Sequence, residues 1–277
     1  MIITAADFFS RAPAELPPDA EDAFFSAIRN RNSTFKRTYR ARFQSLDEAV
    51  VRAFASRSMR PEQILDVGVS SGATTLDLRA ALLAAGYDPR ITATDLSLHA
   101  ELVSLGKGVT ALVSPDGHVL QIALAGWSVR PWRRRLDWIT GMWAIRPLLL
   151  SWAQRQVENS NSRRPVLLVS PRLRDHPSIR VVEDDVLKRR PEFEAKFQFV
   201  RAANILNHDY FNEDQLRAAV RNLRAYLAGP GSLLLIVRSL HNGEQHGSLF
   251  ELGDDGQLSV CQRFGDGSEI EQLALAS

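Results

Sequence analysis

At 277 residues the chain is longer than one minimal domain and shorter than two large ones, which predicts one core domain with appended segments. Its 45% hydrophobic and 24% charged residues exclude a disordered, collagen-like or multi-span membrane chain, and a net charge of +2 excludes a surface built throughout for nucleic acid. The single cysteine, Cys261, leaves no partner for an intramolecular disulfide and no cysteine cluster for a metal, so a reducing cytoplasm is the expected setting and no metal is expected.

In chain order, the short apolar run after Met1 meets Asp7 without a basic leader, so no secretory signal is expected. Residues 1–60 are predicted to be helical, from apolar side chains at helical spacing at Ala23, Phe24 and Ile28 and again at Leu46, Val50 and Phe54. A basic stretch over 29–42 separates them. From residue 64 the pattern changes to strand and helix in alternation, with strands at 64–67 and 91–94 around a helix at 74–85 that Gly86 ends. A hairpin is predicted over 109–114 and 119–124 around Pro115-Asp116-Gly117. All five tryptophans follow (Trp127, Trp132, Trp138, Trp143, Trp152), interleaved with Arg130, Arg133, Arg134, Arg135 and Arg146.

Strands at 179–182, 197–200 and 232–237 and a helix over 213–227 resume the alternation. Residues 248–252 and 258–264 then form a terminal antiparallel hairpin about 253–256. Such alternation implies parallel strands covered by helices on both faces. The expected organisation is a helical N-terminal cap (1–60), a core domain (61–105 and 166–277) and a Trp/Arg-rich insertion (106–165) that serves as a lid or subdomain. Arg146-Pro147 interrupts the apolar residues of that insertion, so a spanning helix is excluded there and one lying on a surface is not.

A glycine-bearing turn after the first strand of a parallel sheet is where such folds bind nucleotides, because bulky side chains would keep a ligand from the backbone and from the next helix N-terminus. Here it reads Asp66-Val67-Gly68-Val69-Ser70-Ser71-Gly72, which is not the Gly-x-Gly-x-x-Gly spacing. A dinucleotide loop and a loop for S-adenosylmethionine both fit. A short-chain dehydrogenase needs a tyrosine four residues before a lysine, and none of Tyr39, Tyr87, Tyr210 and Tyr226 has one. Asp95 ends the second strand, where a carboxylate can accept both ribose hydroxyls or simply cap the next turn.

Gly68-Val69-Ser70-Ser71-Gly72 followed by Ala93-Thr94-Asp95-Leu96-Ser97 resembles motifs I and II of class I S-adenosylmethionine-dependent methyltransferases. The closest branch in flavour is the chemotaxis-receptor methyltransferase. Asn32-Ser33-Thr34-Phe35-Lys36-Arg37 and Asn204 through Phe211 stand where that branch has an Asn-x-Thr-x-Phe-Phe-Arg stretch and a segment after the fourth strand. Ala73-Thr74-Thr75 departs from the Glu-Glu-Pro of that branch, and the tryptophan-rich insertion belongs to none of its patterns.

The resemblance implies an α/β, Rossmann-like class I methyltransferase fold with a seven-stranded, mostly parallel sheet, an antiparallel terminal hairpin, a helical N-terminal cap and an inserted lid. It implies S-adenosyl-L-methionine as cofactor and S-adenosyl-L-homocysteine as product. Cofactor contacts are expected from Asp66, Gly68, Ser70, Gly72, Asp95, Leu96, Asp184, Asp185, Val186 and Asn204, with Thr34 and Arg37 reaching the cofactor's carboxylate. Asn204, His208 and Tyr210 are the catalytic candidates, with Asp209 beside them, although Asn212 and Gln215 also have the spacing of a capping box.

The expected reaction is methyl transfer to O or N of a small or amphipathic acceptor. The alternatives are a protein carboxyl methyltransferase of chemotaxis type and a non-catalytic binding module. Peripheral membrane contact through the Trp/Arg segment is a further expectation. Nucleic acid fits less well, because 204–207 reads Asn-Ile-Leu-Asn and not Asn-Pro-Pro-Tyr.

Overall fold

The computed structural model describes residues 3–28, 41–124, 126–131, 142–240 and 242–277. Thr34 and Arg37, like Trp132, Trp138 and Arg133 to Arg135, lie outside them. In chain order the elements are α1 (Ala5–Ser10), α2 (Pro18–Ala27), α3 (Gln44–Ser56), β1 (Gln63–Val67), α4 (Ala73–Ala84), β2 (Arg90–Asp95), β3 (His99–Gly106), β4 (Val109–Val113), β5 (Val119–Leu124) and β6 (Trp127–Val129). There follow α5 (Met142–Asn159), β7 (Arg163–Leu167), α6 (Pro171–Arg174), β8 (Ile179–Glu183), β9 (Phe199–Ala203), α7 (Glu213–Tyr226), β10 (Leu233–Ser239), β11 (Gln245–Leu252), β12 (Leu258–Phe264) and α8 (Glu271–Leu275).

These elements form two compact units, Met1–Tyr39 with Leu98–Arg174 and Arg40–Ser97 with Asp175–Ser277. The limits fall after residues 39, 97 and 174, where the sequence placed them at 60, 105 and 165. The reason is packing: Phe8, Phe24 and Phe25 of the first helices share a core with Ala100, Leu102, Leu112 and Leu120 of β3, β4 and β5.

The second unit contains one sheet in the order β12-β11-β10-β9-β1-β2-β8. Strands β8, β2, β1, β9 and β10 are mutually parallel, and β11 and β12 add an antiparallel pair. Numbered by their order in the chain, the first five follow the doubly wound 3-2-1-4-5 arrangement, whose direction reverses between β1 and β9. Alternation along each strand sorts the faces. Leu65, Val67, Val200 and Ala202 face α7 and its Leu216, Val220 and Leu223. On the other face Phe54 of α3 meets Phe199 edge-on at 5.6 Å. This is a Rossmann-like fold of the class I methyltransferase type, with α3 as its N-terminal helical cap. Asn212 accepts from Gln215 N–H while Gln215 accepts from Asn212 N–H, a closed capping box that starts α7.

The first unit is an antiparallel sheet in the order β6-β5-β4-β3-β7. One face is covered by α1 and α2, where Phe8 stacks on Phe24 at 4.0 Å. The opposite face carries α5, with Ala153 and Val157 against Val109, Ile122, Val103 and Val113. Gln154 donates to the Gly117 carbonyl (2.9 Å), and Glu21 pairs with Arg172 (2.7 Å). The segment read as an insertion is therefore part of a sheet with a core on each face.

Candidate functional site

In parallel strands all carboxyl ends lie at one edge, and the end of β1 lies at the reversal point where open α/β sheets take their ligands. The turn after β1 is held in a rarely used backbone conformation, with Gly68, Ser70 and Gly72 all at positive φ (75°, 58° and 86°). Asn204, across the reversal, is also left-handed at 62°. Left-handed non-glycine residues store strain and gather where a site requires them. Gly68 has a packing reason of its own. A Cβ there would lie 2.2 Å from Ile205 Cγ2, so the glycine admits the β9 loop whether or not a ligand is present. The N–H groups of Gly68 and Val69 both donate to the Thr94 carbonyl, at 2.8 and 3.0 Å.

Among the described residues no side chain caps the first turn of α4 behind this loop, so its N–H groups and positive dipole end face a ligand or water. Among the described residues the buried Ser71 hydroxyl beside it has no hydrogen-bond partner. A buried hydroxyl in that state signals a missing partner.

Asp66, expected among the cofactor contacts, is committed elsewhere. Its two oxygens accept from Arg201 Nε (2.9 Å) and Nη2 (2.6 Å), and the second also from the Thr75 hydroxyl (2.7 Å). Arg201 Nη1 donates to Asp47 Oδ1 of α3 at 3.1 Å, and all three side chains are buried. Strand alternation explains the meeting, since Asp66 and Arg201 point to the α3 side while Val67 and Ala202 point to α7. Two carboxylates around one guanidinium leave a surplus negative charge. The Asp47 carboxyl is pushed up to about 7 by burial, against the pull of Arg201 and with the repulsion of Asp66 and Asp77. Arg201 is held charged by Asp66 and Asp47 despite the cost of its burial.

Asp95 sits where expected, at the carboxyl end of β2. Its Oδ2 accepts from Ser70 N–H (2.7 Å) and its Oδ1 from Ser97 N–H (3.1 Å), so it braces the loop and caps its own turn at once. Leu96 beside it is 60% exposed, an apolar surface at the mouth of the site.

Past β8, Asp184 is 5% exposed and bound to Arg190, whereas Asp185 is 28% exposed and accepts from Leu187 N–H at 3.1 Å. Val186 packs against the α7-side core. Of these two acids, both expected among the cofactor contacts, Asp185 is the more accessible.

Asn204 does not point to an acceptor, because its Oδ1 takes the Ser239 N–H at 2.6 Å and so ties β9 to β10. His208 and Tyr210 are exposed at the same edge, and among the described residues their side chains have no hydrogen-bond partner. Asp209 is engaged by Arg238, which also pairs with Glu269 (3.0 Å), and Glu269 accepts from His208 N–H (3.1 Å). Sequence reasoning missed this brace, together with Ser71, Arg201 and Arg42, whose Nε donates to Ser239 Oγ (3.1 Å). Arg42, Arg201 and Arg238 match no motif and meet the site only through the fold, whereas Ser71 lies inside the Gly68–Gly72 motif but was not among its expected contacts.

Two cavities among the described residues lie away from the loop. One of about 260 Å³ in the first unit is lined by Phe9, His99, Arg164 and Arg174. One of about 460 Å³ in the second unit, at the opposite edge of the sheet from Gly68, is lined by Arg60, Tyr87, Asp88 and Arg90. Among the described residues no group of His, Cys, Asp and Glu is placed to hold a metal ion, and no helix is long and apolar enough to cross a membrane.

No family model and no curated protein matches the chain. Solved structures of low identity do. The N-methyltransferase NodS from Bradyrhizobium japonicum WM9, in complex with S-adenosyl-L-homocysteine, is 16% identical over 72% of this chain and 62% of its own, with a TM-score of 0.34. The citrinin polyketide synthase CMeT domain is 14% identical over 83% of this chain and 42% of its own, with a TM-score of 0.38. CalS10, an amino pentose methyltransferase from Micromonospora echinaspora, is 14% identical over 84% and 81%, with a TM-score of 0.37. The chain spans less than two thirds of the length of the first two. These likenesses carry nothing about reaction or substrate, and the fold assignment stands on strand order and direction.

Proposed function

We propose that this chain is an S-adenosylmethionine-dependent methyltransferase acting on O or N of a small or amphipathic acceptor. The observation that carries the reading is the conjunction at the β1 end: a left-handed loop with Asp95 alongside and, among the described residues, an uncapped α4 N-terminus and a buried Ser71 hydroxyl without a partner. That donor set suits the cofactor's amino-acid end. The Ser71 hydroxyl and the first-turn N–H groups of α4 would hold the methionine carboxylate, Asp95 the ribose, and Leu96, Asp185 and Val186 the adenine. Asp66 and Asp184 are left out, because Arg201 and Arg190 occupy them.

The bound cofactor supplies a methyl group on a positively charged sulfur. The chain's own contribution is alignment, which supplies most of the gain in such a transfer. Asn204 and the Arg238–Glu269 pair fix the loop over 204–211, and the His208 imidazole takes the proton that the acceptor gives up. Tyr210 presents its hydroxyl beside the acceptor.

The test is labelling of a fractionated lysate with methyl-tritiated cofactor. Label in the small-molecule or lipid fraction, reduced ~10–100-fold by His208→Ala at unchanged cofactor affinity, is the expected result. Alkali-labile label in protein would mark a carboxyl methyltransferase instead.

A further inference from the structure

We infer that the outer face of α5, with the neighbouring Leu124–Trp127 pair, is a docking surface for an anionic lipid bilayer. The inference rests on the first unit alone and is independent of the methyl-transfer reading.

Helix α5 is apolar on two sides. Leu149, Leu150, Ala153 and Val157 face the sheet. Ile145, Leu148 and Trp152 are 56%, 74% and 39% exposed. At about 100° per residue these three fall within about 60° of one another and about 120° from the middle of the sheet-facing stripe. A helix face in water normally carries polar residues, and large apolar side chains grouped in the open mark an interaction surface.

The stripe continues onto the sheet. Leu124 pairs directly with Trp127 across the β5–β6 ladder, and both are exposed. By alternation Leu124 shares a face with Ile122, which packs beneath α5, so the pair lies on the side of the sheet that carries the helix.

Composition selects the occupant. Residues 127–159, from β6 to the end of α5, hold Arg130, Arg133 to Arg135, Arg146 and Arg155 against Asp137 and Glu158. That is a net +4 in a chain of net +2, so the other residues sum to −2. Of the described arginines in this stretch Arg155 is exposed, Arg130 half-buried and Arg146 buried. All five tryptophans fall in the same stretch, and tryptophan favours the bilayer interface, where its ring meets acyl chains and its N–H meets headgroups. An anionic membrane matches both the apolar stripe and the basic charge. A nucleic acid would leave Ile145 and Leu148 without a role, and an apolar protein groove would leave the charge unmatched. With 18 residues and no spanning character, α5 would lie flat in the headgroup layer.

The test is cosedimentation of the full chain with vesicles of phosphatidylcholine alone and of phosphatidylcholine with phosphatidylglycerol. Binding to the anionic vesicles only, weakened by salt and lowered ~10-fold or more in Leu148→Glu/Trp152→Ala, is expected. Because both side chains are exposed, the variant should keep the wild-type circular dichroism and melting temperature. No binding to anionic vesicles, or equal binding by a folded variant, would overturn the inference. So would a lipid-free wild-type dimer that Leu148→Glu dissociates, since a second copy would then cover the face.

Discussion

Gly68 and Asp47 show how single residues constrain this site. Gly68→Ala sets a Cβ against Ile205 and forces a side chain onto a left-handed backbone, at a combined cost of about 2–4 kcal/mol in urea unfolding. Adding Ile205→Ala should return part of that loss, and a double variant no more stable than Gly68→Ala would refute the contact. Asp47 ties stability to pH. Its folded-state value of about 7 lies above the ordinary carboxylate value of 3.8, so the folded chain holds a proton that the unfolded chain releases. The resulting stability is present below the unfolded value and is lost as pH rises through the folded one. The loss is on the order of 4 kcal/mol, in a cluster where Arg201, Asp66 and Asp77 are the facing charges. Asp47→Asn should flatten the fall in urea midpoint between pH 5 and pH 8. An unchanged slope would place the titration elsewhere. Asp66 also shows where reading by motif stops, because its position in the loop signature was visible while its partner Arg201, 135 residues away, was not.

At the scale of elements, the start of α4 separates a ligand role from a packing role. The buried Ser71 hydroxyl has no partner among the described residues, so Ser71→Ala should leave stability unchanged or raise it slightly. The same substitution should weaken cofactor binding several-fold by calorimetry. A loss of stability with unchanged binding would make Ser71 a structural residue. The strands and helices of the parallel sheet were legible because period-2 and period-3.6 patterns alternate between glycine-bearing turns. Strand β7 was not, since Arg163-Arg164-Pro165 reads as a loop and becomes a strand only by pairing with β3. Nor was β3 assignable to a second sheet, because local pattern does not say which strand will be the neighbour.

At the scale of the molecule, the chain passes between its two units three times, after residues 39, 97 and 174. That is why α1 and α2 pack on one antiparallel sheet with the segment read as an insertion, while α3, read with them as one cap, belongs to the parallel sheet. The parallel sheet keeps its reversal point, and Asp95 and the 68–72 loop lie at the carboxyl edge there, where the cofactor site is proposed. The most direct test of the central claim is titration calorimetry of S-adenosylhomocysteine into the wild type and Asp95→Ala, with NAD as control. Micromolar binding by the wild type, none of NAD, and a loss of ~10–100-fold (about 1.4–2.7 kcal/mol) in the variant is the expected result. No heat with the intact protein, or equal affinity in a folded Asp95→Ala, would contradict a cofactor site at the β1 end.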